Sequence, residues 1–247
     1  MSASPLILSL ETATLAGSIS ISRDGNVLAS CGGNPAVSHS NTLLRDIDDL
    51  LSQVSLTIRD VDLFAVASGP GSFTGLRIGI ATVKALAATL CRPCVGVPTL
   101  AAIAHSAGLS PATVSLLSAG RGEVFVQLFS SSAEDIVVEL DQPEHLSPVR
   151  VLEKYLDREA LRWAGEGSQV HANLIRETAV KKGYRFVEEN NVDSKTDGNA
   201  WVIANPAVNL AEHVASLAVI RLSQARDQTV NTLRAIYVRP SDAEMKV

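Results

Sequence analysis

Apolar and polar positions recur along this chain with periods that assign most of its elements. Leu6-Ile-Leu-Ser-Leu10 is nearly all apolar and predicts a buried strand. Ser18-Ile-Ser-Ile-Ser22 alternates strictly, the period of a strand with one face buried. Asp24-Gly25 supplies two residues that tolerate positive φ, as a type I′ turn requires, and Val27–Cys31 is the returning strand. The chain thus opens on a three-stranded antiparallel meander. From about Ser38 to Val54 the period becomes helical. Leu43, Leu44, Ile47, Leu50, Leu51 and Val54 fall on one apolar face, opposite Arg45, Asp46, Asp48 and Asp49. Ser38 or Ser40 can cap its N-terminus.

Leu63-Phe-Ala-Val-Ala67 is apolar throughout and predicts a central strand. A turn, Gly69-Pro-Gly-Ser-Phe-Thr-Gly75, leads into a helix running to about Leu90, and Cys94–Val97 follows as a strand. Leu63 to Val97 is therefore a βαβ unit. Pro98 and Thr99 open a short helix to about Ala107. The second half repeats the plan. Thr113–Leu117 and Val124–Phe129 are strands joined at Gly120-Arg-Gly122, and Ile136–Leu140 is a third. A helix near Val149–Leu156, a strand near Leu161–Ala164, a helix near Val170–Ala179 and a polar loop over Glu188–Asn199 come next. The final helix spans about Pro206–Gln224, with Leu210, Val214 and Leu217 on one face, before a tail around Ala235–Pro240. Two meander-plus-helix lobes result: residues 1–100, then 101–225, then a tail over 226–247.

Composition narrows the classes. Of 247 residues, 46% are hydrophobic and 19% charged, as in a folded globular protein. The aromatic share is only 4%, so the core must rest on Leu, Ile, Val and Ala. A net charge of −5 opposes a general polyanion binder and leaves RNA contact to a local patch. No Lys or Arg precedes Leu6–Leu10, and Glu11 ends that run, unlike a secretory signal. No segment approaches the roughly 20 apolar residues of a membrane span. Three cysteines, an odd number, oppose a disulfide framework. The expectation is a cytoplasmic protein with no membrane partner.

The glycine turn is the main chemical candidate. Gly69, Gly71 and Ser72 lie where backbone amides could cradle a phosphate at a helix N-terminus. The spacing is not that of a P-loop, and Leu76-Arg77 replaces its Lys-Ser/Thr pair. Nor is it the dinucleotide fingerprint, since Thr74 stands three after Gly71. The competing reading is a sharp turn with close backbone packing. The helix behind it is small-sided, with Gly75, Gly79, Ala81, Ala85 and Ala88. Each internal Gly costs about 1 kcal/mol relative to Ala, so such a helix gains by letting another backbone come close, its own or a second subunit's.

Cys91-Arg-Pro-Cys94 has redox spacing but sits at a helix C-terminus, where the dipole opposes a thiolate. His39, His105, His145, His171 and His213 have no His or Cys three or four residues away, so no helical metal pair exists. Gly71-Ser-Phe-Thr-Gly75 has the wrong spacing for a nucleophile elbow.

Four segments together resemble one family: Leu8-Ser-Leu-Glu-Thr-Ala-Thr14, His39-Ser-Asn-Thr-Leu-Leu44, Ser68-Gly-Pro-Gly-Ser-Phe-Thr-Gly-Leu-Arg-Ile-Gly79 and Tyr237-Val-Arg-Pro240. The chain is similar to the TsaB (YeaZ) family of the bacterial machinery that forms N6-threonylcarbamoyladenosine in tRNA. The resemblance covers residues 1 to about 105, with Gly120-Arg-Gly-Glu-Val-Phe125 as a fainter echo. It implies a two-lobed actin-like ATPase fold of the Hsp70 and sugar-kinase type, each lobe a mixed sheet with helices.

It further implies a non-catalytic scaffold that activates the TsaD subunit, with the ATPase TsaE docking onto the pair and tRNA reached only through the complex. TsaD carries the paired metal-binding histidines that this chain lacks. In the family the first two helices form the partner interface, here Leu43, Ile47 and Leu50 with Gly75, Gly79 and Val83, if those side chains face outward. The same helices would make a homodimer when the partner is missing. Glu11, Thr12, Gly69, Gly71 and Ser72 would be a vestigial nucleotide site for ATP or ADP. Glu11 stands where such ATPases carry Asp, and Ser118-Ala-Gly120 replaces the Asp-Ala-Arg of relatives. The alternative is a working phosphotransferase or ATPase of the same fold. Older family names suggest a peptidase, which the missing metal pair and elbow oppose.

Overall fold

The computed structural model describes residues 4–32, 39–132, 136–189, 199–224 and 230–238. Ser38, the Ser40 side chain and the Arg239-Pro240 end of the tail motif lie outside the described residues, as does most of the polar loop. Contacts divide the chain into two units. One is Met1–Ala102 with Val208–Tyr237, the other chiefly Ile103–Ala207.

In the first unit β1 (Ile7–Glu11), β2 (Ser18–Arg23) and β3 (Asn26–Gly32) form the meander, with φ of 56° at Asp24 and 73° at Gly25 in its turn. Helix α1 (His39–Gln53), strand β4 (Leu63–Gly69), helix α2 (Phe73–Leu90) and strand β5 (Cys94–Pro98) follow, and α3 (Thr99–Ser106) leads out. The sheet order is β3-β2-β1-β4-β5, with β4 parallel to both β1 and β5.

Register sorts the two faces of this sheet. Leu8 lies opposite Ile21 and Phe64, and Leu10 opposite Ile19 and Val66. This large apolar face meets Leu43, Ile47, Leu50 and Leu51 of α1 and Ile80, Val83 and Ala87 of α2. Leu44, expected on the same helical face, is instead 64% exposed, because a face shared with a sheet is narrower than the apolar run. One residue along, Ser9 pairs with Ser20 and Ala65, so the opposite face is small and polar.

Helix α7 (Leu210–Gln224) covers that small face. Ser9 Oγ donates to the Ala211 carbonyl at 2.7 Å, and Ala211 N donates to Ser18 Oγ at 2.9 Å. Two expectations are corrected here. Ser18, Ser20 and Ser22 are buried, so β2 is covered on both faces. Residues 208–224 belong to the first unit and not to the second lobe, because the serines give the helix both room and hydrogen bonds.

The second unit holds β6 (Ser110–Gly120), β7 (Glu123–Ser131), β8 (Val137–Glu139), β9 (Glu144–Leu146), α4 (Pro148–Tyr155) and β10 (Leu161–Ala164). After these come α5 (Glu166–Val170), α6 (Ala172–Lys182), β11 (Arg185–Glu188) and β12 (Ala200–Ile203). Its sheet runs β11-β12-β10-β6-β7-β8, with β9 also on β7. Where the sequence predicts one helix over 170–179 there are two, meeting at His171. Trp163 and Trp201 anchor the core with ring centroids 5.1 Å apart. Asp141 ties its outer strands to α4, accepting from Leu128 N and Tyr155 OH, both at 2.7 Å. Burial and that carboxylate push the Tyr155 phenol far up.

Candidate functional site

The glycine turn packs against the chain's own backbone. At Gly69, with φ of 114°, a Cβ would lie 2.5 Å from the Ile236 carbonyl oxygen. At Gly71 it would lie 2.6 Å from the Ala13 oxygen, and Ser72 N donates to that same oxygen at 2.7 Å. Ser72 caps α2, its Oγ accepting from Gly75 N at 3.2 Å. A Cβ on Gly75 would collide with the Thr12 carbonyl oxygen, and one on Gly79 with Thr12 Oγ1. Thr12 Oγ1 in turn donates to the Gly75 carbonyl at 2.8 Å.

Glu11, the last residue of β1, is 1% exposed. It accepts from Thr14 N and Thr14 Oγ1, each at 2.7 Å, and Thr14 Oγ1 accepts from Gly17 N at 3.2 Å. The carboxylate therefore closes the loop between β1 and β2. Glu11, Thr12, Gly69, Gly71 and Ser72 do converge at the carboxyl ends of β1 and β4. What they visibly do there is hold that loop against the turn.

The expected interface residues face the wrong way for a partner. Leu43, Ile47, Leu50, Gly75, Gly79 and Val83 are all buried within the first unit. The apolar sheet face takes the leucines, isoleucine and valine, while Thr12 fills the space beside both glycines. The outward face of α2 includes Thr74, Arg77, Ala81, Ala85, Ala88 and Thr89, with Ile78 half-buried among them. On the neighbouring α1 it includes Leu44, Arg45, Asp48, Asp49, Ser52 and Gln53.

Helix α2 has a mean hydropathy of 1.3 over 18 residues, long and apolar enough to cross a membrane by length and composition alone. That corrects the expectation that no segment comes near. Its inner side is committed to its own sheet, and the apolar surplus is the alanine stripe outside. This stripe was legible in the sequence, since Ala81, Ala85 and Ala88 recur at i, i+4 and i+7.

The first cysteine of the pair, Cys91, caps this helix. Cys91 adopts φ of 52° and donates its N–H to the Ala87 and Ala88 carbonyls, the left-handed close of a helix. Cys94 is buried in β5, and burial pushes its thiol up. Among the described residues, no three His, Cys, Asp or Glu side chains gather as metal ligands. In the second unit, at Ser118-Ala-Gly120, the Ser118 amide donates to Glu166 at 3.1 Å.

The family model for TsaD, tRNA N6-adenosine threonylcarbamoyltransferase, matches residues 32–233. The tRNA threonylcarbamoyladenosine biosynthesis protein TsaB of Escherichia coli K12 is 35% identical over 122 residues, 48% of this chain and 52% of that one. Its Bacillus subtilis 168 counterpart is 30% identical over 186 residues, 72% of this chain and 78% of that one. The alignment thus spans about half of the first relative and most of the second. Among solved structures, YeaZ from Pseudomonas aeruginosa superposes with a TM-score of 0.69 at 23% identity, covering 94% of this chain and 99% of that chain. The fold is the actin-like one, with a mixed sheet and helices in each unit.

Proposed function

The chain belongs to the TsaB (YeaZ) family, and from that premise we propose that it is the non-catalytic activator of a TsaD-type paralogue. Its place is the formation of N6-threonylcarbamoyladenosine at position 37 of tRNA, in the cytoplasm, with TsaE docking on the pair and tRNA reached through the complex. The observation that carries this reading is the outward face of α1 and α2, where Ala81, Ala85, Ala88 and the 64% exposed Leu44 offer small and apolar surface. Small side chains let a partner helix approach at the short end of the 8–10 Å interaxial range. Without the partner, a second copy would pair through the same face.

The alternative of an actin-like ATPase or phosphotransferase would need Glu11 to position water or a metal. Its carboxylate is engaged by Thr14 instead. The test is reconstitution of tRNA modification from the catalytic paralogue, TsaE, the threonylcarbamoyl-adenylate synthase and this chain. Modification is expected only when the chain is present. Undiminished modification without it, or ATP hydrolysis by the chain alone that Glu11→Ala abolishes, would overturn the proposal.

A further inference from the structure

The last described stretch returns to the glycine turn as a strap. Leu233 is 5% exposed and enters the core of the first unit. It sits over Gly96 of β5, where a Cβ would lie 2.7 Å from Leu233 Cδ1. Ile236 N donates to the Ser68 carbonyl at 2.7 Å, at the end of β4, and its own carbonyl fills the space beside Gly69. Tyr237 then sets its ring 5.0 Å from that of Phe73, the first residue of α2. The Arg77 guanidinium stacks on the same Phe73 ring, 3.8 Å from its centroid.

A helix's first turn is its weakest point, because its leading N–H groups have no partners within the helix. Here the turn is gripped on one side by the loop after β1, through Ser72 N to Ala13 and Thr12 Oγ1 to Gly75. The strap grips the other, through Ser68, Gly69 and Phe73. We propose that the strap over residues 230–237 is a clamp on the first turn of α2, and that Tyr237 is a positioning residue for the partner face beginning at Thr74 and Arg77. This rests on the reading that α1 and α2 meet the partner.

The test compares Tyr237→Ala, Tyr237→Phe and Ala85→Arg in the full chain, by affinity for the catalytic paralogue and by amide exchange of the free chain. Tyr237 is 48% exposed, so its loss leaves the core in place. Tyr237→Ala is expected to weaken binding about tenfold and to speed exchange at Gly75 and Leu76, while Tyr237→Phe keeps both. Wild-type affinity in Tyr237→Ala overturns the proposal. So does weakened binding with unchanged exchange, which would make Tyr237 a direct contact.

If Ala85→Arg binds as wild type, the partner reading fails. Exchange in the free chain then still decides the clamp. Should Tyr237→Ala not fold, Ile236→Pro removes the donor to Ser68 and is read the same way.

Discussion

At the scale of single residues, the glycines of the turn answer to Thr12 and Ala13. Gly79→Ala would drive a Cβ into Thr12 Oγ1 and is expected to cost about 1–3 kcal/mol in urea unfolding. Thr12→Ala in the same chain removes that oxygen, so the pair should be markedly non-additive. Strict additivity would mean that the two residues do not meet.

Thiol alkylation at neutral pH should mark exposed Cys91 well before Cys94, whose burial raises its pKa and keeps it protonated. Equal rates would contradict the packing at β5. The need for glycine was legible in the sequence at each of these positions. The neighbour was not, because Thr12 and Gly75 are 63 residues apart in the chain and no local pattern joins them.

At the scale of elements, periodicity located nearly every strand and helix of the first unit, and register explains why. Leu8, Leu10, Ile19 and Ile21 share a face, so a slip of one residue would turn them all to the serine side. What alternation could not say is what covers the serines. Polar residues at every second position read as solvent-facing, yet α7 lies there, bonded to Ser9 and Ser18. Ser9→Leu should therefore lift α7 and cost about 2–4 kcal/mol, through overpacking and a lost buried hydrogen bond. A loss under about 1 kcal/mol in urea unfolding would show that the serine face is not a tight seat. In the second unit β9 and β11 escaped prediction because charged residues break up their three or four positions, and β12 because it directly follows the polar loop.

At the scale of the whole molecule, the motif resemblance pointed to the family and the fold, while contacts reassigned the C-terminal helix to the first unit. The interface residues expected from the sequence lie on the inner side of α1 and α2. Apolar residues are found on the face that builds the core before any partner is considered, so Leu43, Ile47 and Val83 were already committed. The surface left over is the alanine stripe of α2 beside Leu44.

An arginine at Ala85 points into solvent in the free chain and should leave its melting temperature unchanged. The decisive measurement is binding of this Ala85→Arg chain to the TsaD-type catalytic paralogue beside the wild type. Loss of the complex at unchanged stability is the expected result; an undiminished complex would contradict the account.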